Sequence, residues 1–83
     1  MTIQVRYFAS IREALGPGER VDAPAGVTLS LLRDLLIERS PTHATTLARG
    51  RALRCALNQA LADESAVVPD GAEVAFFPPV TGG

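Results

Sequence analysis

The sequence predicts a single α+β domain, in which a mixed sheet packs on one main helix and a flexible tail extends from the C-terminus. Apolar and polar residues alternate near the N-terminus, as in a half-buried strand. Leucines recur at helical spacing in the middle of the chain. The last ten residues, V-A-F-F-P-P-V-T-G-G, pass from a strand pattern to two prolines and two glycines. Since 83 residues suffice for one domain only, we expect a folded domain over 1–77 and an extended tail over 78–83.

Composition and charge exclude several classes of protein. The net charge of −1 and the scattered arginines give no basic stripe for nucleic acid. A single cysteine forms no internal disulfide. No stretch approaches the roughly 20 apolar residues of a membrane span, and M-T-I-Q-V-R is unlike a signal peptide. We therefore expect a small, soluble, cytoplasmic domain with no nucleic-acid or membrane partner.

The N-terminal third predicts a strand, a short helix and a second strand. Ser10 is a candidate N-cap for a helix over Ile11–Leu15, with Glu13 completing a capping box. Gly16-Pro17-Gly18 ends that helix, and Glu19–Ala23 is the second strand, paired with the first as a hairpin. The first strand is predicted from its alternating apolar residues, Ile3, Val5 and Tyr7.

The main helix is predicted over Leu29–Arg39, with Thr28 as its N-cap and Ser40-Pro41 as its end. The leucines that form its apolar face are Leu29, Leu32 and Leu36, with Leu35 beside them. The residues expected mainly on the opposite, polar side are Arg33, Asp34, Glu38 and Arg39. This helix is therefore the expected centre of the core.

The C-terminal half predicts three more strands. The segment 42–51 has weak periodicity, and its sequence is compatible with either a short helix or an open loop. The strands are Leu53–Leu57, Ala60–Ala62 after a tight Asn58-Gln59 turn, and Glu73–Phe77 after an Asp70-Gly71 turn. Strands on both sides of one helix suggest a sheet whose first and last strands lie parallel and adjacent at its centre.

The chain carries no recognisable catalytic set of its own. Cys55 lies among apolar residues with nothing nearby to lower its pKa, which indicates a buried structural thiol. His43 stands alone in a polar segment without a second ligand at metal spacing, so we expect a solvated side chain and no metal site. No phosphate-binding glycine loop and no pair of catalytic carboxylates is present.

The C-terminal segment is the candidate functional site. Phe76 and Phe77 are adjacent in one strand, so their rings face opposite sides of the sheet, and we expect Phe77 to face outward as an anchor for a partner. Pro78 and Pro79 favour an extended backbone that holds the following residues away from the domain. The six residues 78–83 reach roughly 20 Å, far enough to enter another protein's active site.

The sequence resembles the small subunit of molybdopterin synthase, the MoaD-like sulfur carriers, over nearly its whole length. The similar segments are V-R-Y-F-A-S-I-R-E, A-L-N-Q-A-L and D-G-A-E-V-A-F-F-P-P-V-T-G-G. The resemblance implies the ubiquitin-like β-grasp fold. It also implies that the chain is no enzyme by itself but the sulfur-donating subunit of a sulfurtransferase complex, a heterotetramer with the large subunit of molybdopterin synthase.

The same resemblance implies a role for each residue of the tail. An E1-like adenylyltransferase uses ATP to adenylate the carboxylate of Gly83, and a persulfide sulfur then converts it to a thiocarboxylate. The sulfur passes to cyclic pyranopterin monophosphate in molybdenum cofactor biosynthesis, and the chain itself binds no cofactor. Gly82 and Gly83 would thread into the large subunit, since a Cβ would crowd the path. The residues implied to contact the partner are Phe76, Phe77, Pro78, Pro79, Val80 and Thr81.

Three alternatives remain open from the sequence. A sulfur carrier for thiamine synthesis or tRNA thiolation would use the same chemistry on a different acceptor. A ubiquitin-like modifier would join Gly83 to lysines of target proteins. A plain interaction domain would carry its Gly-Gly end incidentally and would keep its function when Gly82 and Gly83 are deleted.

Overall fold

The computed structural model describes residues 1–79, which form one mixed five-stranded sheet with three helices. The strand order is β2-β1-β5-β3-β4; β1 and β5 are parallel, and the other neighbours are antiparallel. The predicted central pairing of the first and last strands is therefore confirmed. In chain order the elements are β1 Thr2–Tyr7, α1 Ala9–Leu15, β2 Gly18–Asp22, α2 Leu29–Ile37, α3 Pro41–Thr46, β3 Arg54–Leu57, β4 Ala60–Ala62 and β5 Glu73–Phe77.

The start of α1 differs from the prediction. Phe8 is the N-cap residue and no side chain caps the helix, so the prediction of Ser10 as N-cap is wrong. Ser10 already lies inside the first turn, where the Phe8 carbonyl accepts hydrogen bonds from the N–H groups of Ile11 and Arg12. The predicted end is confirmed, because Gly16 adopts a φ of 89° that favours glycine and its N–H donates to the Arg12 carbonyl.

The main helix α2 begins where predicted and ends two residues early. The Thr28 hydroxyl accepts a hydrogen bond from the Leu31 N–H, as an N-cap does. The helix ends at Ile37, because a new helix begins at Pro41 with Ser40 as its N-cap. Proline at the first position of a helix loses no hydrogen bond and fixes φ. The segment 42–51, which the sequence left open between a short helix and a loop, therefore consists of most of the short helix α3 and the loop that follows it.

The core lies between the inner face of the sheet and α2. The three leucines predicted for the apolar face of α2 are fully buried, whereas Leu35 beside them is 37% exposed. Each fully buried leucine contributes about 1.5–3 kcal/mol through removal of apolar surface from water. The strand residues that share one hydrophobic cluster with these leucines include Ile3, Val5, Tyr7, Val74 and Phe76. The alternation predicted for β1 is confirmed.

The prediction that Arg33 lies on the polar side of α2 is wrong. Its side chain is buried, with only 4% of its surface exposed. The guanidinium donates hydrogen bonds to the carbonyls of Leu47, Ala48 and Arg51 and pairs with Glu64. Position 33 lies one helical turn after the buried Leu29, at the border of the apolar face. Burial lowers the pKa of Arg33, but the surrounding carbonyls hold the cation and order the loop that follows α3.

The hairpin of β3 and β4 follows the predicted turn chemistry. Asn58 and Gln59 both have positive φ, 49° and 71°, as a two-residue hairpin turn requires. β4 and β5 have the predicted bounds, while β3 begins at Arg54 instead of Leu53. β2 likewise begins and ends one residue before the predicted Glu19–Ala23.

Candidate functional site: the root of the C-terminal tail

The root of the tail is fixed by the centre of the sheet. β5 pairs with β1 on one side up to Phe76 and with β3 on the other side up to Phe77, which lies opposite Arg54. In addition, the Phe8 N–H donates to the Phe76 carbonyl at 3.2 Å. The chain therefore leaves the domain from an anchored central strand. Val80, Thr81, Gly82 and Gly83 lie outside the described residues, and the roles predicted for them stay predictions.

The two adjacent phenylalanines face opposite sides, as predicted. Phe76 is 1% exposed and belongs to the core, whereas Phe77 is half-buried on the outer face. The partner contact expected for Phe76 does not fit this position, because its ring has no surface left to offer. Pro78 and Pro79, which follow, are also half-buried.

An apolar surface surrounds Phe77 on the outer face of the sheet. The small side chains of Ala56 on β3 and Ala75 on β5 lie opposite each other and form a flat floor. On its other side, Ala56 lies opposite Leu61 on β4. Two larger side chains rise beside this floor: Phe8, which is 40% exposed, and Leu61, which is 72% exposed. We call this surface the outer patch, and its members are Phe8, Ala56, Leu61, Ala75 and Phe77.

The sequence analysis did not predict that Phe8 and Leu61 belong to the outer patch. The sequence nevertheless contains a feature that indicates the outward position of each. Phe8 continues the alternation of β1 by one position beyond Tyr7, on the outward side. Leu61 faces outward because the Asn58-Gln59 turn sets it opposite Ala56.

Two arginines flank the outer patch and differ in their surroundings. Arg6 lies 3.7 Å from a Glu73 carboxylate oxygen, and its guanidinium is 5.9 Å from the centre of the Phe8 ring. Arg54 is exposed directly opposite Phe77. Beside Arg54 is a groove of about 360 Å³, lined by apolar residues of β3 and β4 and by two acidic residues that follow β4. The patch thus has a charged border at the root of the tail.

The thiol of Cys55 is a buried structural group, as predicted. Cys55 is 5% exposed and lies opposite Phe76, on the inner side of the sheet. Its sulfur is 3.5 Å from the Ala62 carbonyl oxygen. Burial raises the pKa of the thiol, so the thiolate is disfavoured.

His43 is not the solvated loop residue that the sequence predicted. It lies on α3, where Nε2 is 2.7 Å from a Glu19 carboxylate oxygen and Nδ1 is 2.7 Å from the Ser40 hydroxyl. Glu19 also accepts a hydrogen bond from the Tyr7 hydroxyl at 2.6 Å and pairs with Arg39 at 2.9 Å. Burial alone would raise the pKa of Glu19, but these hydrogen bonds and charges outweigh it and lower the pKa. The cluster ties α3 to the edge of the sheet.

The described part of the chain contains neither a metal-binding cluster nor a membrane-spanning helix. Over residues 1–79, no three side chains of His, Cys, Asp or Glu converge as a metal site requires. In the same range, no helix is long and apolar enough to cross a membrane.

The ThiS family matches residues 5–83, which include the Gly-Gly end. The chain belongs to the ThiS family. Among the relatives of this ThiS-family chain, the molybdopterin synthase sulfur carrier subunit of Escherichia coli (strain K12) is 41% identical, over 98% of this chain and 99% of that protein. The resemblance noted from the sequence is confirmed.

Two solved structures are similar to this ThiS-family chain over its whole length. The crystal structure of SAMP1 from Haloferax volcanii has a TM-score of 0.80 at 25% identity, with both chains covered completely. A chain in the complex of subunits 1 and 2 of the molybdopterin-converting factor from Helicobacter pylori 26695 has a TM-score of 0.68 at 29% identity, again over 100% of both chains. The predicted ubiquitin-like β-grasp fold is confirmed.

Proposed function

We propose that this chain is the sulfur-carrier subunit of a molybdopterin synthase and that Gly83 carries the sulfur. The observation that carries the proposal is the 41% identity to the Escherichia coli sulfur carrier subunit over almost all of both chains. Two features of the chain support it. The family match runs through Gly83, and the strand that leads to the tail is pinned on both sides at the centre of the sheet.

The proposed chemistry takes place on the C-terminal carboxylate. An E1-like enzyme transfers AMP from ATP to the carboxylate of Gly83, and pyrophosphate leaves. A persulfide sulfur then displaces AMP, and a thiocarboxylate results after the S–S bond is reduced by a thiol. The thiocarboxylate donates its sulfur to cyclic pyranopterin monophosphate in the large subunit. The chain itself supplies reach and one nucleophilic sulfur and binds no cofactor, while its partners supply positioning and electrostatics.

We further propose that the outer patch docks on the large subunit of molybdopterin synthase. The similar chain from Helicobacter pylori is part of a complex of subunits 1 and 2 of the molybdopterin-converting factor. The outer patch here is apolar, bears the exposed Phe8 and Leu61, and includes Phe77, the last residue of β5. Ordering the tail costs on the order of 1–2 kcal/mol per residue, which binding of the patch would offset. The position of the patch would deliver Gly83 to the partner's active site.

The chemical part of the proposal is tested by mass spectrometry of the purified chain. The chain is incubated with an E1-like enzyme, ATP and a persulfide donor, and the sought change is one oxygen replaced by one sulfur. Since oxidation of Met1 or Cys55 adds nearly the same mass, fragmentation must place the change on Gly83. A chain that lacks Gly82 and Gly83 is the control, and it should fold normally and gain no sulfur.

The acceptor is tested with the sulfurated chain. Mixed with the large subunit and cyclic pyranopterin monophosphate, it should form molybdopterin and return to the carboxylate form. Sulfur on Gly83 without this product would indicate another sulfur-transfer pathway. An unsulfurated Gly83 found joined to lysines of other proteins would instead indicate a modifier, and either result would refute the proposed function.

A further inference from the structure

We infer that Arg54 is a specificity determinant of docking and pairs with a carboxylate of the large subunit. The inference rests on the proposed function and concerns one side chain at the border of the outer patch. Arg54 is exposed and lies directly opposite Phe77, the last residue of β5. A partner that covers Phe77 must therefore also cover, or closely approach, the guanidinium of Arg54.

The guanidinium of Arg54 forms no ion pair within the described part of the chain. Over residues 1–79, it has no ion pair within 4.0 Å, whereas Arg6 on the same face has Glu73 and the Phe8 ring. A charge that loses water on docking must find an oppositely charged partner, or binding weakens. Arg6 brings its own partner into the interface, and Arg54 does not. The compensating carboxylate must then come from the large subunit.

The groove beside Arg54 gives such a carboxylate a place to enter. Its apolar walls are Leu53, Cys55, Leu61 and Ala62, and Arg54 lines it together with two acidic residues. An acidic side chain that lays its methylene groups along these apolar walls would bring its carboxylate to the guanidinium. A planar guanidinium pairs with a carboxylate through two parallel hydrogen bonds, which also fixes the orientation of the partner.

The two acidic residues in the groove leave Arg54 available. Glu64 is engaged by Arg49 at 2.7 Å and by Arg33 at 3.4 Å. Asp63 is the first residue after β4, and it lies opposite Arg54 when the register of the hairpin is continued by one residue. Even so, no carboxylate oxygen of Asp63 lies within 4.0 Å of a guanidinium nitrogen of Arg54. Asp63 therefore competes only weakly with the partner's carboxylate for the guanidinium of Arg54. The negative charge of Asp63 also repels an incoming acidic side chain. This gives the two residues opposite effects on docking.

The test measures binding of the unsulfurated chain to the large subunit of the same organism by titration calorimetry at about 0.05 and 0.3 M salt. Arg54→Gln should weaken binding about tenfold or more at low salt and flatten the salt dependence, since it removes one charge pair. Arg20→Gln is the matched control. It removes an exposed arginine from the same sheet face but on the edge strand, opposite Gln4, and should stay within about twofold of wild type. Asp63→Asn should bind as tightly as wild type or more tightly.

Each outcome decides the inference. Binding of Arg54→Gln within about twofold of wild type at low salt overturns it, and so does equal weakening by Arg54→Gln and Asp63→Asn, which would mean that the two residues act together within the chain. Thermal unfolding of each variant shows that the fold is intact. If the wild-type chain does not bind the large subunit at all, the proposed docking fails along with the inference. Wild-type binding with an unaffected Arg54→Gln variant refutes the inference alone.

Discussion

Replacement of Arg33 by methionine should destabilise the fold far more than the same replacement at Arg49. Both arginines are rich in hydrogen bonds. Arg33 donates to three backbone carbonyls and to Glu64, and Arg49 donates to Ser30, Asp34 and Glu64. They differ in burial, because the side chain of Arg33 is 4% exposed and that of Arg49 is 42% exposed.

The magnitude follows from which acceptors lose their partner. In Arg33→Met the carbonyl of the buried Leu47 has no substitute donor, which costs about 1–3 kcal/mol. The carbonyls of Ala48 and Arg51 are closer to the surface, where water replaces the guanidinium at about 0.5 kcal/mol each. Removal of the desolvated cation offsets part of this loss. The net cost is about 2 kcal/mol, out of the roughly 4–12 kcal/mol expected for a domain of this size.

The assay is denaturant and thermal unfolding of both variants, followed by circular dichroism. A loss of about 2 kcal/mol lowers Tm by roughly 8–16 °C in a domain of this size. Arg49→Met should cost less than about 1 kcal/mol, because exposed ion pairs contribute little. If Arg49→Met proves as costly as Arg33→Met, then the number of hydrogen bonds decides the cost rather than burial, and the reasoning is refuted.

Three further predictions test the packing and the charge cluster. Gly18→Ala should cost about 1–3 kcal/mol, because the added Cβ would overlap the backbone carbonyl of Val5, whereas Gly50→Ala, with open space around it, should change Tm little. Phe76→Ala should cost about 3–5 kcal/mol in denaturant unfolding, and Phe77→Ala much less, since only Phe76 is in the core. The pKa of Glu19 lies below its ordinary 4.5, so the carboxylate stabilises the fold above about pH 4.5 and this stabilisation is lost as the pH falls further. The difference in unfolding midpoint between wild type and Glu19→Gln should therefore shrink between pH 7 and pH 3. A constant difference would contradict this prediction.

Most of the fold could be predicted because its signals are local. The alternation of β1, the N-cap Thr28, the Asn58-Gln59 turn and the end of α1 at Gly16 each depend on a few neighbouring residues. The errors arose where an element depends on a distant partner. Ser10 has the chemistry of an N-cap, but the hydrogen bond between the Phe8 N–H and the Phe76 carbonyl fixes where β1 ends and α1 begins.

The arginine and the histidine that were misplaced show the same limit. Arg33 is buried only because the loop after α3 brings three carbonyls to it, and the position of that loop could not be read from the sequence. His43 is tied down by Glu19, which lies 24 positions away in the chain. A polar side chain is classed as exposed from sequence because that is the common case, and it is buried when distant groups satisfy it.

Under the proposed function, the position of β5 would let this small domain present its own C-terminus to a partner with precision. A tail that followed an edge strand would start from a segment paired on one side, which opens more readily than a strand paired on both sides. Here Phe76 is held between Tyr7 of β1 and Cys55 of β3, and the next residue, Phe77, belongs to the outer patch. A partner that binds the patch therefore fixes the starting point of the six residues 78–83. The range of positions open to Gly83 would then depend only on the conformational freedom of those six residues. Pro78 and Pro79, which begin the segment, reduce that freedom further.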